Sequence, residues 1–474
     1  MTVELRDRHD ITLEAFRRIA WNGEKLIIPE AILRSIDANR EHFLVFLERN
    51  PEVHVYGVNI GAGDAAGTRL TAEQQTEYLS GLTSATSFGV PLPERATRGI
   101  VLARMASFLG GHAAVTSRLV QHVADMLGGP LPPVPAEGNG GSGEIQALGH
   151  LFGSVPARLR LEVKEPMALI NGSPCASALV ADVAVRCVGA INLAERVLAL
   201  AADALQAPHE HFAAALDAMW DDVDEIVALA TVRSLLRGAD PRRRAKQALV
   251  SVRVIPKVLA AAYRARAGAS LVAGTSLSSV NDNPIFVPPS PAQPAAVLSN
   301  GSFHNQHAIV AIDGWTRAAA DLCQLAHALV QGIYGDRTAL PGQDNLGVGT
   351  LYMPSSAWAE EARATATPSV LPAAAIGQND VPNPVFTAWN RSVRADRCLH
   401  ATLAILATLA SQSFAVTERR TSPALQPLLT AIRDELPPVS RRRDLGPELD
   451  ALATAFADRA NHQSAALCPE LARP

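Results

Sequence analysis

The sequence predicts an all-α fold, an elongated antiparallel helical bundle with a smaller loop-rich N-terminal part. Two observations lead there. Aromatic residues make up only 5% of the 474 residues, and Ala and Leu, the best apolar helix formers, dominate a hydrophobic content of 48%. Apolar residues then recur at helical intervals over long stretches, with Gly-, Pro- and Asn-rich segments between them.

In chain order, residues 1–165 are broken by turn signals, YGVNIGAG at 56–63 and GNGGSG at 138–143, with one helical pattern between them at 96–127. The texture changes near Pro174, so residues 1–165 and 166–474 are read as two parts. A long Ala/Leu/Val run at 177–205 stops before Pro208, and further helical patterns cover 250–271, 306–333 and 394–414. Loops are expected at 278–294, 341–349 and 377–384. Strand signals are sparse, with short ribbons expected at 285–287 and 158–163. Helices this apolar must bury every face, inside the bundle or against other subunits.

Charge and cysteine usage narrow the function classes. A net charge of −4 gives no argument for nucleic acid or an acidic membrane. The basic runs 242–244 and 441–443 lie in polar stretches and read as solvated loops. Five scattered cysteines (Cys175, Cys187, Cys323, Cys398, Cys468) fit reduced thiols in a cytoplasm. The first ten residues are charged and no uninterrupted apolar run reaches the roughly 18 residues of a membrane span, which predicts a soluble chain. His209-Glu210-His211 is not a metal pair, because two residues' separation on a helix points the rings apart.

Each loop taken alone has an ordinary explanation: a flexible glycine turn at 138–143, a packed aromatic at Tyr56, an Asx turn at Asn281-Asp282-Asn283-Pro284. Their joint order carries more. YGVNIGAG at 56–63 is followed by GNGGSGEIQALGH at 138–150, KEPMALINGS at 164–173, QALVSVRVIPKV at 247–258, NDNP at 281–284, SFHN at 302–305 and QNDV at 378–381. This series resembles the histidine, phenylalanine and tyrosine ammonia-lyases and the related aminomutases, over about 330 residues in one order.

The resemblance implies a homotetramer whose active sites draw on three subunits, a small-molecule amino-acid substrate, and no metal or diffusible cofactor. It also implies a prosthetic group, 4-methylidene-imidazol-5-one (MIO), built from Gly141-Ser142-Gly143. Cyclisation needs the Gly143 amide to reach the carbonyl two residues back, which a side chain would obstruct. Ser142 then loses water to leave an electrophilic methylidene carbon, and covalent capture of the amine splits a difficult elimination into easier steps. By the same resemblance Tyr56 is the base that takes the β-proton, and Arg253 holds the substrate carboxylate with a planar, always-charged fork. Asn171 lies near substrate and ring, Gln247 and Phe303 line the pocket, and Gln378 and Asn379 form the last polar loop.

Several positions depart from the family pattern. Val250 stands where the family has a tyrosine, Glu144 where it has an aspartate, Ala62 where it has a phenylalanine, and the loop before Gly141 is one residue shorter. Thr83-Ser84 occupies the place of the pair that marks histidine, phenylalanine or tyrosine as substrate, and Asn379 that of a glutamate typical of histidine lyases. These differences imply an atypical amino acid or another amine-bearing metabolite. Three readings stay open: an MIO-dependent ammonia-lyase, an MIO-dependent 2,3-aminomutase, and a family member without the electrophile that binds or catalyses something else.

Overall fold

The Ala/Leu/Val run at 177–205 folds as the central helix of a computed structural model that describes residues 2–82, 85–244, 247–341, 348–371 and 377–466. Six helices form the bundle: α1 (Glu94–Leu109), α2 (Pro174–Ala204), α3 (Ile255–Ser278), α4 (Gln306–Tyr334), α5 (Val385–Val416) and α6 (Gly446–Ala466). The other five all pack against α2, which is buried along almost its whole length. A helix apolar on every face has no other stable place. Pro174 opens it at the first helical position, where the missing N–H costs nothing.

Buried ion pairs fix how these helices align. The Asp182 carboxylate on α2 accepts from Arg95 (2.8 Å), Arg186 (2.9 Å) and the Trp389 indole of α5 (2.9 Å). Arg186 also pairs with Asp396, which takes the Trp315 indole of α4 at 2.8 Å. Burial opposes the charge on Asp182, but the two guanidinium groups and the indole donor outweigh it and hold its pKa below the usual carboxylate value. Through these contacts α2, α4 and α5 run in one direction, with α3 and α6 reversed between them. One hydrophobic core runs without a break from Val3 to Phe456.

The expected helices are present with shifted ends. The 96–127 pattern is two helices, α1 and Ser117–Asp125, because the chain turns at Gly110 and at Gly111, which has a positive φ. The 394–414 pattern starts nine residues earlier, at Val385, directly after Pro384. The ribbon at 285–287 is real, pairing antiparallel with Ala296–Leu298. The one expected at 158–163 is not a strand: Arg158 and Leu159 donate back to Val155, and Glu162 donates to the Glu165 carboxylate. The 242–244 run is only partly solvated, since Arg243 pairs with Asp203 at 2.9 Å and Arg244 with Asp336. The 342–347 part of the expected loop at 341–349, and Cys468, lie outside the described residues. Two stretches, Glu165–Ala204 and Val385–Val416, are long and apolar enough to cross a membrane by length and composition, but their apolar windows are 100% and 89% buried inside the fold.

Candidate active site

Because α2, α4 and α5 run the same way, their N-termini meet at one end of the bundle, where Ser173, before α2, donates to the carbonyl of Ser302, before α4, at 2.8 Å. Such ends carry unpaired N–H groups and a partial positive charge. A cavity of about 490 Å³ opens there, lined among others by Tyr56, Ser142, Gly143, Asn171, Phe303 and Asn379. Six of the sequence-predicted residues therefore come together from five separate segments.

The Tyr56 loop is shaped by its own backbone. Asn59 accepts from the Val55 amide at 2.7 Å and donates to the Val53 carbonyl at 2.8 Å, closing a tight turn. Gly57 has φ +66°, which favours glycine, and a Cβ there would displace the end of the Met167 side chain. The Tyr56 phenolic oxygen accepts the Gly63 N–H at 2.7 Å, which leaves its own proton free for another partner.

The Gly-Ser-Gly segment stands at the convergence itself. Gly141 (φ +85°), Gly143 (φ +70°) and Glu144 (φ +57°) all adopt the left-handed region. At Gly143 a Cβ would sit 2.9 Å from the Asn171 side-chain oxygen, on a backbone conformation that favours glycine. The Ser142 hydroxyl donates to Asn379 at 2.5 Å. The buried Glu144 carboxylate turns away from the cavity and accepts the Cys175 and Ala176 amides at 2.6 and 2.8 Å, the first free donors of α2 after Pro174. Burial pushes its pKa up to about 7, with those two backbone donors and the Arg104 charge pulling against it.

Two buried cations brace the floor. Arg104 donates to the Asn171 carbonyl at 2.5 Å and to the Asn281 side chain at 2.8 Å. Lys164 pairs with Asp282 at 2.7 Å with both side chains fully enclosed. Burial lowers the Lys164 pKa, and the Asp282 carboxylate opposes that shift. Asn171 then reaches the Asn283 carbonyl at 3.0 Å. These contacts give a physical reason for KEPMALINGS and NDNP occurring together.

The chain matches the family model described as "Aromatic amino acid lyase" over residues 11–158 and 153–434. It belongs to the aromatic amino acid lyase family. It is 28% identical to a histidine ammonia-lyase of Aromatoleum aromaticum, covering 93% of this chain and 91% of the relative. A tyrosine ammonia-lyase of Cereibacter sphaeroides is also 28% identical, covering 95% and 97%. Among solved structures, the tyrosine aminomutase of Streptomyces globisporus superposes with a TM-score of 0.85 at 23% identity, covering 98% of each chain.

Within this family member, not every expected site residue joins the cavity. Gln247 is exposed, and Arg253 is half-buried with its Nε donating to the Ala248 carbonyl at 3.1 Å. Leu249, between them, lies against Gly332 near the C-terminus of α4, the end opposite Phe303. A 29-residue helix is about 44 Å long, so neither residue reaches the Ser142 of its own chain. Val250 shares that end and is exposed. Thr83 and Ser84 lie outside the described residues, as does the Gln378 side chain, whose backbone falls in the short helical turn Gly377–Asn379. Asn283, from the NDNP motif, also lines the cavity, and sequence reasoning missed His54, Val297 and Ser299 there. His54 had a legible signal, standing two residues before Tyr56 on the same loop; Val297 and Ser299 had none.

Proposed function

We propose that the protein is an MIO-dependent ammonia-lyase for a non-standard α-amino acid, working as a homotetramer. The single observation that carries this reading is the geometry of residues 141–143 beside Tyr56. Gly143 has a left-handed backbone and little clearance toward Asn171, Gly141 has open space around it, and Ser142 lines the same cavity as Tyr56 and Asn171. The residues present fit the prosthetic group. When formed, that group supplies an electrophilic carbon that holds the substrate amine and makes it a leaving group.

The chain's own residues do the rest. Tyr56 takes the β-proton as its phenolate, with the Gly63 N–H donating to the oxygen that carries the negative charge before the transfer. Asn171 and Phe303 pack the substrate, and Asn379 closes the polar side of the cavity. Arg253 and Gln247 act from a neighbouring copy, binding the carboxylate. Exposed apolar side chains, Leu249 and Val250 beside them and Leu271 and Val310 toward the opposite end on α3 and α4, support burial between copies. The described lining holds no acidic side chain, which disfavours a cationic substrate side chain. The four described cysteines are free and buried, in keeping with a cytoplasmic protein.

The test is a panel of α-amino acids incubated with the protein and with Ser142→Ala, assayed for ammonia and for β-amino acid. Ammonia lost with Ser142→Ala supports the lyase. β-Amino acid lost in the same way identifies a 2,3-aminomutase instead. Turnover unchanged by Ser142→Ala contradicts both and leaves a family member without the electrophile.

A further inference from the structure

Residues 382–384 read Pro-Asn-Pro, so Asn383 offers the only backbone N–H of the three. That N–H donates to the Gly141 carbonyl oxygen at 2.9 Å. The Asn383 side chain is held from two sides: its oxygen accepts the Val385 amide at the start of α5 (3.0 Å), and its amide donates to Glu144 (3.4 Å). Glu144 in turn caps α2. Asn383 is 5% exposed, and nothing in its fold as a turn before α5 requires that its amide meet a residue more than 200 positions earlier.

We infer that Asn383 drives backbone cyclisation, its proline-flanked N–H stabilising the charge that develops on the Gly141 oxygen as the ring closes. The inference rests on the MIO reading above. In that step the Gly143 nitrogen bonds to the Gly141 carbonyl carbon and the carbonyl electron pair moves onto oxygen. This oxygen leaves as water with the hydrogens of the Gly143 and Ser142 amides, and the Gly141 carbon–Ser142 nitrogen bond becomes double. A second water carries off the Ser142 hydroxyl and its α-hydrogen, leaving the methylidene carbon; no oxidant is needed. A donor already aimed at the oxygen need not reorganise when charge appears, which is why such donors act strongly in enclosed sites. The flanking prolines restrict the segment that carries it, and the Glu144 and α5 contacts fix its side chain.

The experiment starts from full-length chain isolated unfolded at its full calculated mass and follows intact mass with time on refolding, with helicity and sizing as controls for folding. Asn383→Pro removes the donor, and Asn383→Ala keeps it while cutting the side-chain ties. The expected result is water loss slowed about 10²-fold in Asn383→Pro and much less in Asn383→Ala. Equal rates in wild type and a folded Asn383→Pro overturn the inference while leaving the MIO reading intact. A wild type that never loses water overturns both. Should Asn383→Pro not fold, Pro382→Gly decides: it frees the segment without touching the donor, slower water loss supports the clamp, and an unchanged rate overturns it.

Discussion

The two ends of the bundle are built differently. At one end Tyr56, Ser142, Asn171, Phe303 and Asn379 are gathered by the chain's own contacts: Arg104 on the Asn171 carbonyl, Lys164 on Asp282, Glu144 on the first turn of α2. At the other, Gln247, Val250 and Arg253 sit around an exposed short helix whose apolar side chains, Leu249 and Val250, are 51% and 63% open. The first end is a finished half-site held by intramolecular packing. The second, on the proposed reading, offers its residues to a neighbouring copy. On that reading, the difference teaches that one protomer folds both halves of the site but cannot bring them together.

Ways to break this comparison run from large effects to small. Replacing Ser142 with Ala should reduce ammonia release to background, and Tyr56→Phe should lower kcat by about 10²–10⁴-fold while leaving sizing and helicity unchanged. At substrate well below the raised KM of Arg253→Ala, Ser142→Ala and Arg253→Ala refolded together should show more activity than the two refolded separately, since some sites then draw one intact half from each chain. Without that gain the two ends do not meet between copies. Lys164→Met strands the Asp282 carboxylate in the floor and should cost about 3–5 kcal/mol in urea unfolding. A loss under 1 kcal/mol would mean the brace is not needed. Arg253→Ala alone should raise KM roughly ten- to hundredfold with little change in unfolding, because a half-buried group at the open end loses a carboxylate contact rather than packing.

The smallest effect concerns pH. Glu144 has a folded pKa near 7, above its ordinary value of 4.5. Between those values the folded chain binds more protons than the unfolded one, so this group's contribution makes stability fall as pH rises from about 4.5 to about 7. The slope should be shallower in Glu144→Gln; identical slopes would show that Glu144 is ionised in the folded protein throughout.

Much of this was legible in the sequence. The long helices follow from apolar periodicity, and the site segments from the order of their motifs. What was not legible depends on distance in the chain. The short β-like run 158–163 reads as a ribbon until Val155 and Glu165 take its amides, a local contest that propensity does not settle. Arg243 looks like a solvated loop residue until Asp203, 40 residues away, is placed beside it. Glu144 reads as an awkward substitute for aspartate until α2 presents two bare amides to it. Asn383 reads as a turn residue between prolines, and only the fold shows that its N–H faces Gly141.

The most direct test of the central claim is the intact mass of purified wild-type protein against the mass calculated from its sequence. The account predicts a deficit of two water molecules that peptide mapping places in Gly141-Ser142-Gly143. A folded oligomer with the full calculated mass would contradict it, and would mean that this member of the family keeps the fold without the electrophile.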